Sequence, residues 1–356
     1  MVLAVPPQGV RARRAAALGR ALRPGSTAGA GREAPAGAQP PAGRSRPPRP
    51  QALRRYGQNH LVDRNILGAI VAQAAVAPDD VVLEVGAADG QLTRPLLERA
   101  ALVHAFEIDR RYFARLARLA GGHPTLRVHE GDALKADLAS LDPAPTALVA
   151  NLAYNIAIPL VMTSIAELPT VRRWGVMVQK ELADRLFAAP STKAYAAVSV
   201  LVQLACRRLE TRAVPASAFR PRPRVESSFV TFVRRGPDEG GAPDDAAAPP
   251  LTPAGYDAVD RLVRLAFGQR RKVLTNTLAG AARGGVTLSR DRVRETLGVL
   301  GLAASARPEE LSPPQWAAFA RLTGWLPAEE APAASAAPAS ASPAPAPPPP
   351  DTEVDA

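Results

Sequence analysis

The feature that most constrains the fold is a short β-rich run, Val81-Val82-Leu83-Glu84-Val85, which stops at Gly86 and gives way to helical spacing from Leu92 to Arg99. The same unit recurs. Further apolar runs stand at Leu102–Ile108, Leu126–Val128, Ala147–Ala150, Trp174–Val178 and Phe229–Val233, several of them separated by helical patterns. Apolar runs that alternate with helices call for a mostly parallel sheet covered on both faces, hence an α/β class. Ahead of the first run, Asp63 can cap a helix whose apolar positions Ile66, Leu67, Ile70, Val71 and Ala74 follow helical spacing. In a sheet of this kind ligands bind beyond the carboxyl ends of the strands, so the residues just after each run carry the functional information.

Those residues form a pattern. The first run ends in Glu84-Val-Gly86-Ala-Ala-Asp-Gly90, where glycines let the backbone approach a ligand and expose amide donors. The second ends in Glu107-Ile-Asp109, and an acid there can accept hydrogen bonds from both ribose hydroxyls of an adenosine cofactor. The third is followed by Gly131-Asp132-Ala133, where an acid can accept from an adenine amine. Each acid alone reads as an ordinary solvated loop residue; three at successive strand ends point to nucleotide binding.

The fourth run ends in Asn151-Leu152-Ala153-Tyr154. An adenine amine is a poor nucleophile because its lone pair is delocalised into the ring. An Asn side-chain oxygen and a neighbouring backbone carbonyl can each accept one N–H, drawing the nitrogen toward tetrahedral geometry and aiming its lone pair at an electrophilic methyl. An adjacent aromatic can stack on a base turned out of its helix. An Asn turn beside a core tyrosine would have the same sequence, and only its place after a fourth strand gives the motif weight.

Charge is unevenly spread. Residues 1–50 sum to +8, 51–170 to −2, 171–235 to +9 and 251–326 to +5, while 236–250 and 327–356 carry only acids. A positive field that begins after about residue 170 suits a polyanion or is simply a solvated surface. Three Ala/Pro/Gly-rich segments read as disordered: a basic extension at 1–50, an acidic linker at 236–250 and a tail at 327–356. They bracket two expected domains, an α/β one at 51–235 and a purely helical one at 251–326. In the latter, helices are expected over Tyr256–Phe267, Arg270–Leu278, Arg290–Leu300 and Pro313–Leu322.

A single cysteine, Cys206, excludes an internal disulfide and a cysteine metal cluster, and His60, His104, His123 and His129 lack metal-ligand spacing, so no metal is expected. No run of about twenty apolar residues spans a membrane. The location expected is cytoplasmic, or an organelle if residues 1–50 act as a transit peptide.

The chain resembles the ribosomal RNA adenine dimethylases, specifically the small-subunit dimethyladenosine transferases, from Gly57 to about Leu326. Gly57-Gln-Asn-His-Leu-Val-Asp63 looks like their opening segment, and Gly131-Asp-Ala-Leu134 looks like their third motif. Val178-Gln-Lys-Glu-Leu-Ala-Asp-Arg-Leu186, Phe219-Arg-Pro-Arg-Pro-Arg-Val-Glu-Ser227 and Phe267-Gly-Gln-Arg-Arg-Lys-Val-Leu-Thr-Asn276 match later ones in order. The resemblance implies a Rossmann-like methyltransferase domain with a mostly parallel seven-stranded sheet and a small all-helical C-terminal domain. It also implies S-adenosylmethionine as cofactor, with its methionine end lined by Gln58, Asn59, His60 and Gly86, its ribose on Glu107, its adenine on Asp132, and Asn151 nearby. Asn151 and the Leu152 carbonyl would hold the target amine, and Tyr154 and Phe219 would sandwich the adenine. The implied reaction gives two methyls to each of two adjacent adenines near the 3′ end of small-subunit RNA. It would take place in a ribosome assembly intermediate, with the enzyme a monomer.

Three departures from the family pattern stand out. Ala88 occupies the middle glycine of the loop, Ala153 replaces the proline after Asn-Leu, and His60 replaces a phenylalanine. Asp89 adds a charge that would sit near the cofactor's amino group or face water. Arg220, Arg222, Arg224, Arg270, Arg271 and Lys272 are the expected RNA contacts, about half of them to phosphate. Pro221 and Pro223 would hold the first three extended. Alternative readings are a large-subunit methylase of the macrolide-resistance type, a non-catalytic RNA-binding assembly factor or mitochondrial transcription-factor relative, and a DNA adenine methylase. The last lacks an evident target-recognition domain.

Overall fold

The computed structural model describes residues 59–153, 155–236 and 251–326. Gln58, Tyr154, the N-terminal extension, the linker from 237 and the tail from 327 lie outside the described residues.

The chain opens with β1 (His60–Leu61), α1 (Arg64–Ala74), β2 (Val81–Val85), α2 (Thr93–Leu97), β3 (Leu102–Glu107), α3 (Arg110–Ala120) and β4 (Leu126–Glu130). It continues through β5 (Ala147–Asn151), α4 (Ala157–Glu167), β6 (Arg173–Gln179), α5 (Lys180–Leu186), α6 (Ala197–Ala205), β7 (Cys206–Val214), β8 (Phe219–Arg220) and β9 (Ser227–Arg234). The C-terminal segment holds α7 (Pro253–Phe267), α8 (Leu274–Thr277), β10 (Ala282–Arg283), β11 (Val286–Thr287), α9 (Arg290–Val299) and α10 (Pro313–Leu322).

Seven strands form one sheet in the order β4-β3-β2-β5-β6-β9-β7. The first five are parallel; β9 runs antiparallel to β6, and β7 antiparallel to β9. The order reverses at β2, which has β3 on one side and β5 on the other, so a crevice opens at the carboxyl ends of those strands. Side-chain alternation explains why the strand runs read as continuously apolar. Val82, Val103 and Val149 enter one buried cluster with Ile70, Val71 and Leu96, while Leu83, Phe106 and Leu148 enter another with Leu160, Trp174 and Leu201.

The Asp63 cap forms as the spacing predicts: its Oδ1 accepts from the amides of Asn65 at 2.9 Å and Ile66 at 3.1 Å. The C-terminal helices pack directly onto α6. Leu262, Val263, Trp316 and Phe319 belong to the same apolar cluster as Trp174, and the Tyr256 hydroxyl donates to the Leu201 carbonyl at 3.2 Å. No helix among the described residues is long and apolar enough to cross a membrane.

Two expectations for the C-terminal segment need correction. Helix is absent from Arg270 to Val273, because Lys272 donates its amide to the Gln269 carbonyl in a turn and α8 spans only Leu274–Thr277. Nor is the segment purely helical, for β10 and β11 form a two-residue hairpin. Its turn is Gly284-Gly285, with φ of 57° and 82°, the conformation that a tight hairpin turn requires and glycine supplies.

Candidate active site

The loop after β2 carries positive φ at Gly86 (78°), Ala88 (51°) and Gly90 (81°). Ala88 thus takes a glycine's conformation, at a cost of about 1–2 kcal/mol for a residue with a Cβ. Its return is visible: the Ala88 amide donates to Oε2 of Glu107 at 2.8 Å, and the Asp109 amide donates to Oε1 at 2.8 Å. Glu107 is therefore clamped at the end of β3, on the lining of the cavity, as a carboxylate that accepts from hydroxyl groups. Burial pushes its carboxyl above the ordinary range, and the two amide donors oppose that shift.

Asp109 has a different job. It caps α3 through the Arg111 amide and pairs with the Arg111 guanidinium at 2.7 Å, whereas Glu107 lines the cavity. After β4, Asp132 accepts from the Leu134 amide at 3.0 Å. Glu107, Asp132, Gly86, Asn59 and Asn151 line one cavity of about 340 Å³, with Leu152 and Phe219 on its wall.

Asn151, at the end of β5, donates from Nδ2 to the Asn59 carbonyl at 3.0 Å. That bond fixes the amide, because only the nitrogen can face a carbonyl; Oδ1 is the atom left to accept from a ligand amine. The turn that follows is closed by the Ile156 amide on the Ala153 carbonyl at 3.1 Å, so it forms without the proline. Phe219 is buried, and its short strand β8 pairs with β1, Leu61 opposite Phe219 and His60 opposite Arg220. The opening segment and the Phe219 segment thus build one wall together.

His60 lines the cavity and exchanges a phenylalanine's packing for a polar contact, its Nε2 lying 2.9 Å from the Tyr112 hydroxyl. Asp89 does not face water. It is 3% exposed, is not among the residues lining the cavity, and its charge adds to the upward shift that burial imposes on the Tyr112 hydroxyl.

Of the expected RNA contacts, Arg222, Arg224, Arg271 and Lys272 are exposed. Arg220 is exposed too, although its Nη1 donates to the Phe219 carbonyl at 2.9 Å and the Ser217 carbonyl at 3.2 Å. Arg270 is engaged internally. It donates to the carbonyls of Lys193 at 3.1 Å and Thr192 at 3.0 Å and faces Glu309 at 3.4 Å, which makes it a strut between segments. The chain bends at Pro221 and again at Arg224 and Val225, so it does not run extended through all three arginines.

Some site features escaped sequence reasoning. Gln91, Asn155 and Ile108 also line the cavity, and Ile108 is an exposed apolar residue placed between the two acids after β3. Glu84 lies fully buried under the loop. Burial, helped by the Glu107 charge, pushes its carboxyl up to about 8; an acid inside an apolar strand was the available signal. Behind Phe106, His104 and His129 meet across β3 and β4 at 3.0 Å, with His129 stacked on Phe106 and held down to about 4 mainly by burial.

A glycine loop, an acid held by backbone amides and an oriented amide side chain stand at the strand ends of a Rossmann-like sheet of the methyltransferase type. Residues 50–298 match the family model for ribosomal RNA adenine dimethylase. The chain is 42% identical over 276 residues to ribosomal RNA small subunit methyltransferase A of Rubrobacter xylanophilus, across 78% of this chain and 96% of that one. The protein of the same name from Kineococcus radiotolerans is 41% identical over 276 residues, 76% and 85% of the two chains. Among solved structures, a Plasmodium falciparum dimethyladenosine transferase superposes with a TM-score of 0.60 at 25% identity, covering 74% of this chain and 98% of its own. The 23S rRNA methyltransferase ErmE gives 0.55 at 28% identity, covering 74% and 99%. The chain belongs to the ribosomal RNA adenine dimethylase family.

Proposed function

We propose that this chain uses S-adenosylmethionine to dimethylate the exocyclic amines of two adjacent adenines near the 3′ end of small-subunit ribosomal RNA, within a ribosome assembly intermediate. The observation that carries the reading is Asn151, whose Nδ2 is committed to the Asn59 carbonyl so that Oδ1 is left to accept. The residues present fit the cofactor. Glu107 offers two oriented acceptors for a ribose diol, and Asp132 stands at the next strand end for an adenine amine. When bound, the cofactor supplies an electrophilic methyl on a sulfonium.

The chain's own residues do the rest by orientation. Asn151 Oδ1 and the Leu152 carbonyl accept the two amine N–H bonds and aim the nitrogen lone pair at that methyl. Phe219, held in place by the pairing of β8 with β1, presents a ring to one face of the turned-out base, and Tyr154 would supply the other. Ala88 keeps a glycine-like φ and Ala153 sits in a closed turn, which supports an enzyme over an assembly factor without turnover.

The test incubates purified protein with labelled S-adenosylmethionine and undermethylated small subunits, then maps the modified adenines. Dimethylation of two neighbouring adenines is expected. Cofactor binding without label on small-subunit RNA would overturn the reading, and label confined to the large subunit would move the chain to the resistance class.

A further inference from the structure

A second concavity, of about 520 Å³, lies outside the cavity that holds Asn151. One side is formed by residues 213–217 at the end of β7, the other by residues 222–227 leading into β9. Ser227 lines both cavities, and the segment from Phe219 to Ser227 is the wall between them. A nucleotide next to a base held against Phe219 lies within reach of this wall.

The wall is built to hold its shape. Val214 pairs with Ser227 across β7 and β9, the Ala218 amide donates to the Pro215 carbonyl at 3.0 Å, and the Val62 amide donates to the Ala218 carbonyl at 2.8 Å. On the far side the Lys180 amide donates to the Glu226 carbonyl at 2.9 Å. A pocket fixed from three directions needs little ordering when a ligand enters.

Its lining combines apolar, cationic and acidic side chains. Val214, Pro215, Ala216 and Pro223 give an apolar floor, and Val225 stands 44% exposed beside it, a surface that a base would cover. Exposed Arg222 and Arg224 flank the floor and suit a phosphate or the face of a base. Glu226 is the only acid on the lining, and a carboxylate accepts from an exocyclic amine but repels a carbonyl edge.

We propose that this concavity receives the nucleotide adjacent to the target adenine, and that Glu226 selects an amine-bearing base there. In a substrate with two adjacent adenines, the second rests here while the first is methylated. The inference rests on the RNA-methylating function proposed above.

The test measures methyl transfer by the full chain on undermethylated small subunits, with cofactor binding read separately by calorimetry. Ala216→Trp fills the concavity and should raise KM for the subunit about tenfold or more, the scale of one lost base contact, while cofactor Kd and Tm stay at wild-type values. Glu226→Leu supplies a readout independent of steric filling. Wild-type enzyme should lose about tenfold in kcat/KM when the neighbouring adenine is replaced by uridine, and Glu226→Leu should erase that preference. A KM for Ala216→Trp within about twofold of wild type, or an unaltered uridine penalty in Glu226→Leu, overturns the inference while leaving the function intact. A wild-type chain that binds cofactor yet transfers no methyl overturns the proposed function, and this inference with it.

Discussion

Two turns at the cavity carry alanine where the family has glycine in one and proline in the other, and the fold treats them differently. After β2, Ala88 is forced to a φ of 51° because its amide must reach Glu107. After β5, Ala153 sits in a turn closed by an ordinary backbone hydrogen bond from Ile156, and its φ is not among the positive ones. Of these two turns, strain is thus stored in the one whose backbone amide anchors the Glu107 carboxylate. Where the turn only has to present the carbonyl of its neighbour, a loosened residue is tolerated without a special conformation.

The largest expected effect concerns what lies beneath the first turn. Glu84 is buried with its carboxyl pushed up to about 8, against 4.5 for the ordinary group. Between those values the folded chain holds a proton that the unfolded chain has released, so stability falls as pH rises through that window. Glu84→Gln removes this dependence. In denaturant titrations its advantage over wild type should grow from about pH 4.5 and level off near pH 8 at about 3–5 kcal/mol. A pH-independent difference would mean that Glu84 is not the protonated group.

Next in size is Gly90→Ala. A Cβ there would lie 3.0 Å from Leu119 Cδ2 at a φ of 81°, so a loss of about 2–3 kcal/mol is expected in thermal or chemical unfolding. Ala88→Gly should act in the opposite direction, raising stability by about 1 kcal/mol, readable as a shift in Tm. The smallest effect belongs to the second turn. Ala153→Pro should change stability by about 0.5 kcal/mol or less with the transfer rate nearly unaltered, and a gain rivalling that of Ala88→Gly would erase the contrast between the turns.

Much of this arrangement was legible in the sequence because each signal was local. The Asp63 cap, the strand runs, and the acids at 107 and 132 all depend on residues a few positions apart. What escaped depends on distance or on exposure. Strand β7 reads Cys-Arg-Arg-Leu-Glu-Thr-Arg-Ala-Val, an edge strand whose exposed, charged faces leave no apolar alternation to detect. The Asn59–Asn151 bond joins residues 92 apart, and Arg270 looks like any surface arginine until Thr192, Lys193 and Glu309 are folded against it. The Gly284-Gly285 hairpin carried a recognisable turn signal that the helical periodicity around it obscured.

The most direct test of the account is methyl transfer by Asn151→Ala, measured with labelled cofactor on undermethylated small subunits alongside cofactor affinity by calorimetry. Loss of an amide that aims the reacting nitrogen should cut the rate by about a hundredfold or more with cofactor Kd little changed. A variant that transfers methyl at the wild-type rate would contradict the role of Asn151.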